Sequence, residues 1–142
     1  MKLVNHLLDG KGRNVVSVAP DASVFDAIKL MADTAVGSLL VMNGETMLGI
    51  VTERDYARKV ILKGRSSETT SVSEIMTDKV VTAAPAETVY ACMELMTRQR
   101  IRHLPVVDDD KVVGVISIGD LVNAIISDQQ EEIEQLEHYI SG

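Results

Sequence analysis

Gly49-Ile50-Val51-Thr52-Glu53-Arg54-Asp55 is written twice in this chain, the second time as Gly114-Val115-Ile116-Ser117-Ile118-Gly119-Asp120. Both copies read as a glycine, two β-branched residues, a hydroxyl, two variable positions and an aspartate, in register at an offset of 65 residues. Repetition at a fixed period dictates architecture before any single residue does. The β-branched pair favours a strand. A hydroxyl followed three residues later by a carboxylate favours a helix start. Each copy therefore predicts a strand running into a helix, with the hydroxyl and the aspartate at the junction.

The repeat extends outward from that motif. Val15 and Val16 meet Val80 and Val81, Ala19-Pro20 meets Ala84-Pro85, Leu30-Met31 meets Leu95-Met96, and Leu39 and Val41 meet Leu104 and Val106. Further upstream Val4-Asn5-His6-Leu7-Leu8 matches Val72-Ser73-Glu74-Ile75-Met76 at an offset of 68, so the first copy carries about three extra residues near Gly10-Lys11-Gly12. Each copy reads as β-α-β-β-α behind a short leading helix. In the first copy, residues 2–8 form that helix and Gly10-Lys11-Gly12 breaks it. Val15 to Val18 is a strand, and Ser23 caps a helix from Val24 to about Thr34. Ser38 to Met42 and Met47 to Val51 form a hairpin about Asn43-Gly44. A helix from Thr52 through Tyr56, Val60 and Ile61 ends at Gly64. Arg65 to Thr70 is a polar linker, and Asp108-Asp109-Asp110 takes the second hairpin turn.

The domain organisation expected is residues 1–67 for the first repeat, 68–127 for the second and 128–142 for a helical tail. One copy of about 60 residues buries too little surface to be secure alone. The expected fold class is therefore α+β: two repeats packed sheet to sheet with pseudo-twofold symmetry, sharing a core and leaving a cleft, plus a C-terminal helix. In the tail Ile126, Ile133, Leu136 and Ile140 form an apolar helical seam among Asp128, Glu131, Glu132, Glu134 and Glu137. Packing on its own domain and packing on a second protomer both explain it, and four positions do not make a coiled coil.

Composition narrows the function classes. The 142 residues are 46% hydrophobic, enough for a core, but only 3% aromatic, so the core is aliphatic. A net charge of −7 argues against binding a nucleic-acid backbone. No apolar run approaches the roughly 18 residues of a membrane span. The start lacks a secretory h-region, and Cys92 has no second cysteine to pair with, so a cytoplasmic, reducing setting is expected. Cys92 reads as a small buried hydrophobe. His6 and His138 lack partners at metal-ligand spacing, and no metal site is expected. Paired catalytic carboxylates, a phosphate loop and a Ser-His-Asp set are all missing from the sequence, so no enzyme is expected.

A tandem β-α-β-β-α repeat with Gly-x-x-Thr/Ser-x-x-Asp closing each copy resembles the CBS-domain pair, the so-called Bateman module. Val80-Val81-Thr82-Ala83-Ala84-Pro85 and Arg102-His103-Leu104-Pro105-Val106-Val107 support the likeness, which covers about residues 1–127. With no enzyme or transporter domain attached, the chain is similar to the stand-alone members of that family.

The resemblance implies a regulatory sensor that binds an adenine nucleotide (AMP, ADP, ATP, NAD(H) or S-adenosylmethionine) between the repeats and signals occupancy to a regulated protein of unknown identity. It also implies a homodimer, for which the helices bearing Met31, Leu95 and Met96 are candidate faces. Asp55 and Asp120 are suited to accept hydrogen bonds from both ribose hydroxyls. Thr52 and Ser117 can donate to phosphate beside the unpaired N–H groups of a helix start. Carried over by position, one site joins Thr52, Arg54 and Asp55 to Val80, Val81, Ile101, Arg102 and His103. The second joins Ser117 and Asp120 to Val15, Val16, Val36, Gly37 and Ser38. The first set is rich in cations. The second has Gly119, Gly37 and Ser38 at the equivalent places, and so is expected to bind anions weakly, stay empty or be filled by a less charged moiety.

Two other readings stay open. Thr52-x-x-Asp55 and Ser117-x-x-Asp120 are also plain helix-capping patterns. The whole chain could also be a structural homodimerisation module with degenerate sites.

Overall fold

The computed structural model describes residues 2–141. The chain divides into two compact units, and these are not simply the two repeats. One is continuous, Val15–Val80; the other joins the first 14 residues to everything from Val81 onward. The leading segments are thus exchanged: the segment ahead of the first repeat belongs to the unit built from the second, and residues 72–80, which lead the second repeat, belong to the unit built from the first.

In the continuous unit, β1 (Ser17–Val18) runs parallel to β2 (Ser38–Asn43), which pairs antiparallel with β3 (Thr46–Thr52). The crossover from β1 to β2 is α2 (Val24–Thr34). It starts where the sequence predicts, with Ser23 Oγ accepting from the Asp26 N–H at 3.1 Å. Its apolar stripe of Val24, Ala27 and Met31 joins Leu39, Val41, Val51, Val60, Val72 and Ile75 in one buried cluster. Gly44, at φ 62°, makes the hairpin turn. Past β3 the expected single helix is split: α3 (Glu53–Tyr56) gives way to a π-helical turn over Ala57–Ile61. Gly64 then leaves the helix at φ 65°.

The other unit contains α1 (Val4–Lys11), α4 (Val89–Gln99), the hairpin β4 (His103–Asp108) and β5 (Lys111–Ser117), and α5 (Ile118–Ser141). Its buried cluster draws on both ends of the chain: Val4, Leu7 and Leu8 pack with Val89, Cys92, Met96, Leu104, Val106, Ile116 and Leu121. α1 continues through Gly10, beyond the break the sequence predicts, and stops at Gly12 (φ 105°). Asp109 and Asp110 form the hairpin turn with φ of 51° and 63°, the pattern of a type I′ turn.

The strand expected around Val80-Val81 is not formed as such. It is reduced to one parallel bridge between Ala83 and Val106. The reason lies across the ladder. In the continuous unit the Leu40 N–H donates to Val16 O at 3.1 Å, but Pro105 occupies Leu40's place in the second repeat and has no N–H to give.

Each leading segment lies over the glycine that opens the repeated motif. A Cβ on Gly49 would come within 2.7 Å of the Thr77 carbonyl oxygen and 2.8 Å of Met76 Sδ. One on Gly114 would come within 2.7 Å of Leu8 Cδ2. Leu8 and Met76 are the residues the repeat equates, so the same close approach fixes both glycines. The other backbone anchors match as well: Leu3 bridges to Thr88, and Ser71 bridges to Ser23.

α5 carries the final helix of the repeat and the tail as far as Ser141 without a break. Its inner end is buried at Leu121 and Ala124. The seam expected from the sequence lies exposed in this chain, with Leu136 at 62% and Ile140 at 82% of full exposure. Met31 and Met96, candidate dimer residues, belong to the cores of their own units.

Candidate functional site

The two Gly-to-Asp motifs carry the candidate site residues, and in both the end of a strand becomes the start of a helix. In the first, Thr52 Oγ1 accepts from the Asp55 N–H at 3.1 Å, and Asp55 Oδ2 accepts from the Thr52 N–H at 3.0 Å. This is a reciprocal capping box. The Thr52 hydroxyl also lies 3.1 Å from Asp55 Oδ2. The second motif repeats the bonds: the Asp120 N–H donates to Ser117 Oγ at 3.1 Å, and the Ser117 N–H donates to Asp120 Oδ2 at 2.8 Å. The capping role is therefore real in both copies. It holds each carboxylate at a helix start, among backbone N–H groups that favour negative charge.

Each aspartate also holds a lysine, and the two lysines come from different places. Lys59, one turn beyond Asp55, sits 3.0 Å from Asp55 Oδ1 and donates to the Ile75 carbonyl at 2.8 Å. Lys11, from the far end of the chain, sits 2.6 Å from Asp120 Oδ2 and donates to the Val115 carbonyl at 2.8 Å. Burial pushes the Asp120 carboxyl upward, but the hydrogen bond and charge of Lys11 and the Ser117 N–H outweigh it. The group is held below the ordinary aspartate value.

Neither lysine was among the residues the sequence singled out. Lys59 carried a readable signal, since an acid and a lysine four apart share a helix face. Lys11 carried none beyond its place in the three-residue insertion. It changes the electrostatics of the second motif, which the sequence alone reads as lacking cations.

The remaining candidates flank the motifs. In the continuous unit Ser38 is buried and pairs directly with Thr52 across β2 and β3. The Gly37 carbonyl accepts the Glu53 N–H at 3.2 Å, and the Val16 carbonyl is tied to Leu40. Val15 and Val36 are half-buried, as is Val80 at that unit's end, and Arg54 is exposed on α3 and engaged in an interaction. In the other unit His103 is half-buried and pairs with Ser117 across β4 and β5. The Arg102 carbonyl accepts the Ile118 N–H at 2.9 Å while its residue is exposed. Val81 and Ile101 pack against that unit's core. Within its own unit, then, Ser38 lies beside Thr52 and His103 beside Ser117. Among the described residues no group of three or more His, Cys, Asp or Glu could hold a metal ion. No described helix is long and apolar enough to cross a membrane.

Comparison with known proteins gives this geometry a context. The chain is 46% identical over 127 residues to the CBS domain-containing protein CBSX3, mitochondrial, of Arabidopsis thaliana, an alignment covering 86% of this chain and 62% of the relative. The chain thus spans somewhat under two thirds of that relative's length. A protein with CBS domains from Burkholderia ambifaria MC40-6 has a similar structure, with a TM-score of 0.88 and 52% identity, covering 90% of this chain and 96% of that one. The CBS domain pair of protein MJ0100, solved in complex with 5′-methylthioadenosine and S-adenosyl-L-methionine, matches with a TM-score of 0.80 and 25% identity, covering 90% of this chain and 98% of that one. The model of the CBS domain itself matches twice, at residues 12–62 and 72–127. The two strand-to-helix motifs are thus one motif of one fold, duplicated, and the chain belongs to the CBS-domain family.

Proposed function

We propose that the chain is a non-catalytic regulatory module that binds an adenosine-containing ligand and passes its occupancy to a partner protein. The observation that carries this reading is the pair of capped carboxylates. Asp55 and Asp120 are held at helix starts in matching geometry, beside Thr52 and Ser117. A carboxylate fixed in this way can accept hydrogen bonds from a vicinal pair of ribose hydroxyls, and the adjacent helix N-terminus favours phosphate. The MJ0100 complex supports the adenosine part of the proposal.

The proposed contacts are the sets expected from the sequence. Thr52, Arg54 and Asp55 act with Val80, Val81, Ile101, Arg102 and His103. Ser117 and Asp120 act with Val15, Val16, Val36 and Ser38. AMP and ATP are the leading ligands, with NAD(H) next, and no metal is required. A reducing compartment is proposed from the single buried thiol of Cys92, and the working assembly is proposed to be a homodimer.

Thermal unfolding with AMP, ATP, NAD, NADH and S-adenosylmethionine tests the reading. A ligand at 100 times its dissociation constant stabilises the native state by about 2.7 kcal/mol, which for a chain of this size raises the melting temperature by several degrees. A selective rise that Asp55→Asn or Asp120→Asn abolishes is the expected result. No rise with any ligand would transfer support to the second reading, a structural dimerisation module. One observation favours that reading: Phe25 and Tyr90, equivalent residues of the two repeats, are both large, apolar and exposed at 47% and 43%.

A further inference from the structure

Lys11 has no counterpart in the second repeat's leading segment, because it lies in the three-residue insertion Gly10-Lys11-Gly12. It is the last residue of α1, and Gly12 turns the chain away immediately after it. Its ammonium group reaches two acceptors in the second motif: the Val115 carbonyl at 2.8 Å and Asp120 Oδ2 at 2.6 Å. In the continuous unit the carbonyl equivalent to Val115 belongs to Ile50, and it accepts a backbone N–H from Thr77 instead. The insertion therefore replaces a backbone bridge with a side-chain cation, and aims that cation at the motif's carboxylate.

The pair is built to open. The lysine side chain is 37% exposed and that of Asp120 is 24% exposed, and a partly solvated ion pair of this kind is weak. Oδ2 of Asp120 carries both the Ser117 N–H and the ammonium, crowded onto one oxygen. A ribose diol that engages both oxygens of this carboxylate therefore competes with the ammonium at Oδ2. The first motif differs. There Oδ1 of Asp55 takes Lys59, Oδ2 takes Thr52, and Lys59 is carried by the same stretch of chain as its aspartate.

We infer that Lys11 sets the ligand preference of the second motif, by admitting an adenosine ligand that carries a phosphate and opposing one that carries no charge. The inference rests on the proposed role of Asp120 as a ribose acceptor. An uncharged nucleoside that takes Asp120 leaves the Lys11 ammonium without its counter-charge. A nucleotide that takes Asp120 brings a replacement anion to the same helix start, and Lys11 transfers to it. The charge missing at Gly119, where the first motif has Arg54, is thus supplied from outside the motif.

The test is calorimetric titration of the full chain with AMP and with adenosine, in an Asp55→Asn background that leaves the second motif to report. Asp55→Asn keeps a side-chain acceptor for the cap. Should it melt far below the wild type, the same titrations are run on the wild-type chain and fitted with two sites. The expected result is a preference of about tenfold or more for AMP over adenosine, the scale of one charge-assisted contact. Lys11→Met should collapse this ratio from both sides, weakening AMP and tightening adenosine, and Lys11→Arg should preserve it. A ratio unchanged in Lys11→Met, whether both affinities move together or neither moves, overturns the inference. Asp120→Asn separates the two levels. If it lowers binding while the Lys11→Met ratio stays fixed, only the role of Lys11 fails. If it leaves binding unchanged, or if neither ligand binds the wild type, the ribose-acceptor reading fails and the inference falls with it.

Discussion

Over its motif glycine the first repeat of this chain holds the segment exchanged onto it with backbone, and the second repeat holds its own with side chains. Over Gly49 the chain at Met76-Thr77 comes in close enough for Ile50 and Thr77 to exchange two N–H to carbonyl bonds of 2.9 Å each. Over Gly114 it is the Leu8 side chain that fills the space, and Lys11 takes the carbonyl that a backbone bridge would otherwise use. Two copies with the same strand-helix motif thus differ in how adaptable the motif's surroundings are. A backbone contact has one geometry, whereas a leucine tip and a lysine can move by rotamer.

The largest effect expected from this difference concerns the glycines. Gly49→Ala drives a methyl into the Thr77 carbonyl and should destabilise by about 3 kcal/mol, near the upper end for overpacking. Gly114→Ala meets only the tip of Leu8 and should lose about 1 kcal/mol. Urea denaturation of both variants measures the gap. A double-mutant cycle sharpens it, because Leu8→Ala should make room for the methyl that Gly114→Ala adds, while Met76→Ala should not rescue Gly49→Ala. Equal losses at the two glycines would erase the contrast.

A smaller effect concerns acid. The Asp120 carboxyl is held below its ordinary value of 3.8 in the folded chain. A depressed carboxyl contributes stability that is fully present above the unfolded-state value and is lost as pH falls through the folded-state value. The wild type should therefore exceed Lys11→Met in stability near neutral pH by less than about 1 kcal/mol. That margin should shrink as the solution is taken below about pH 4. Urea midpoints for both proteins across this window measure it, and a margin independent of pH would assign the lysine to packing alone.

The smallest effect concerns the helix ends. Ala35 and Arg100, equivalent residues, both close their helices in the left-handed region at φ 56°. Ala35→Gly should relieve strain and stabilise by about 0.5–1 kcal/mol. Arg100→Gly should gain less, because the arginine is engaged in an interaction that glycine forfeits. Melting temperatures of the two variants order the pair.

Much of this fold is legible in the sequence. The offset of 65 residues transfers every element of one hairpin to the other, down to the irregularities between Val41 and Met42 and between Val106 and Val107. Ser23 and Thr88, also equivalent, cap α2 and α4 through their side chains. Three features were not legible, each for a physical reason. Pro105 removes a ladder bond from the strand that Val80-Val81 would have made, and a loss across the ladder cannot be seen from the strand's own residues. The exchange of leading segments leaves the repeat pattern unchanged, because Leu8 presents the same apolar side chain whichever unit it packs on. Lys11 reaches Asp120 across almost the whole length of the chain, and only three dimensions bring them together. At the motifs themselves, capping and ligand contact looked like alternatives. The structure shows that capping is what holds the carboxylates in position, and the proposed ligand contact builds on that geometry.

The exchange also sets an order of events at the ribosome. The continuous unit, residues 15–80, is synthesised whole before any of residues 81 onward, which complete the other unit. α1 is made before the continuous unit, yet the surfaces that cover Val4, Leu7 and Leu8 belong to residues beyond 81. α1 must therefore wait, with its apolar face in water, until residues 83–124 have been made. Bringing it back across the intervening segment carries a closure entropy on the order of 4 kcal/mol.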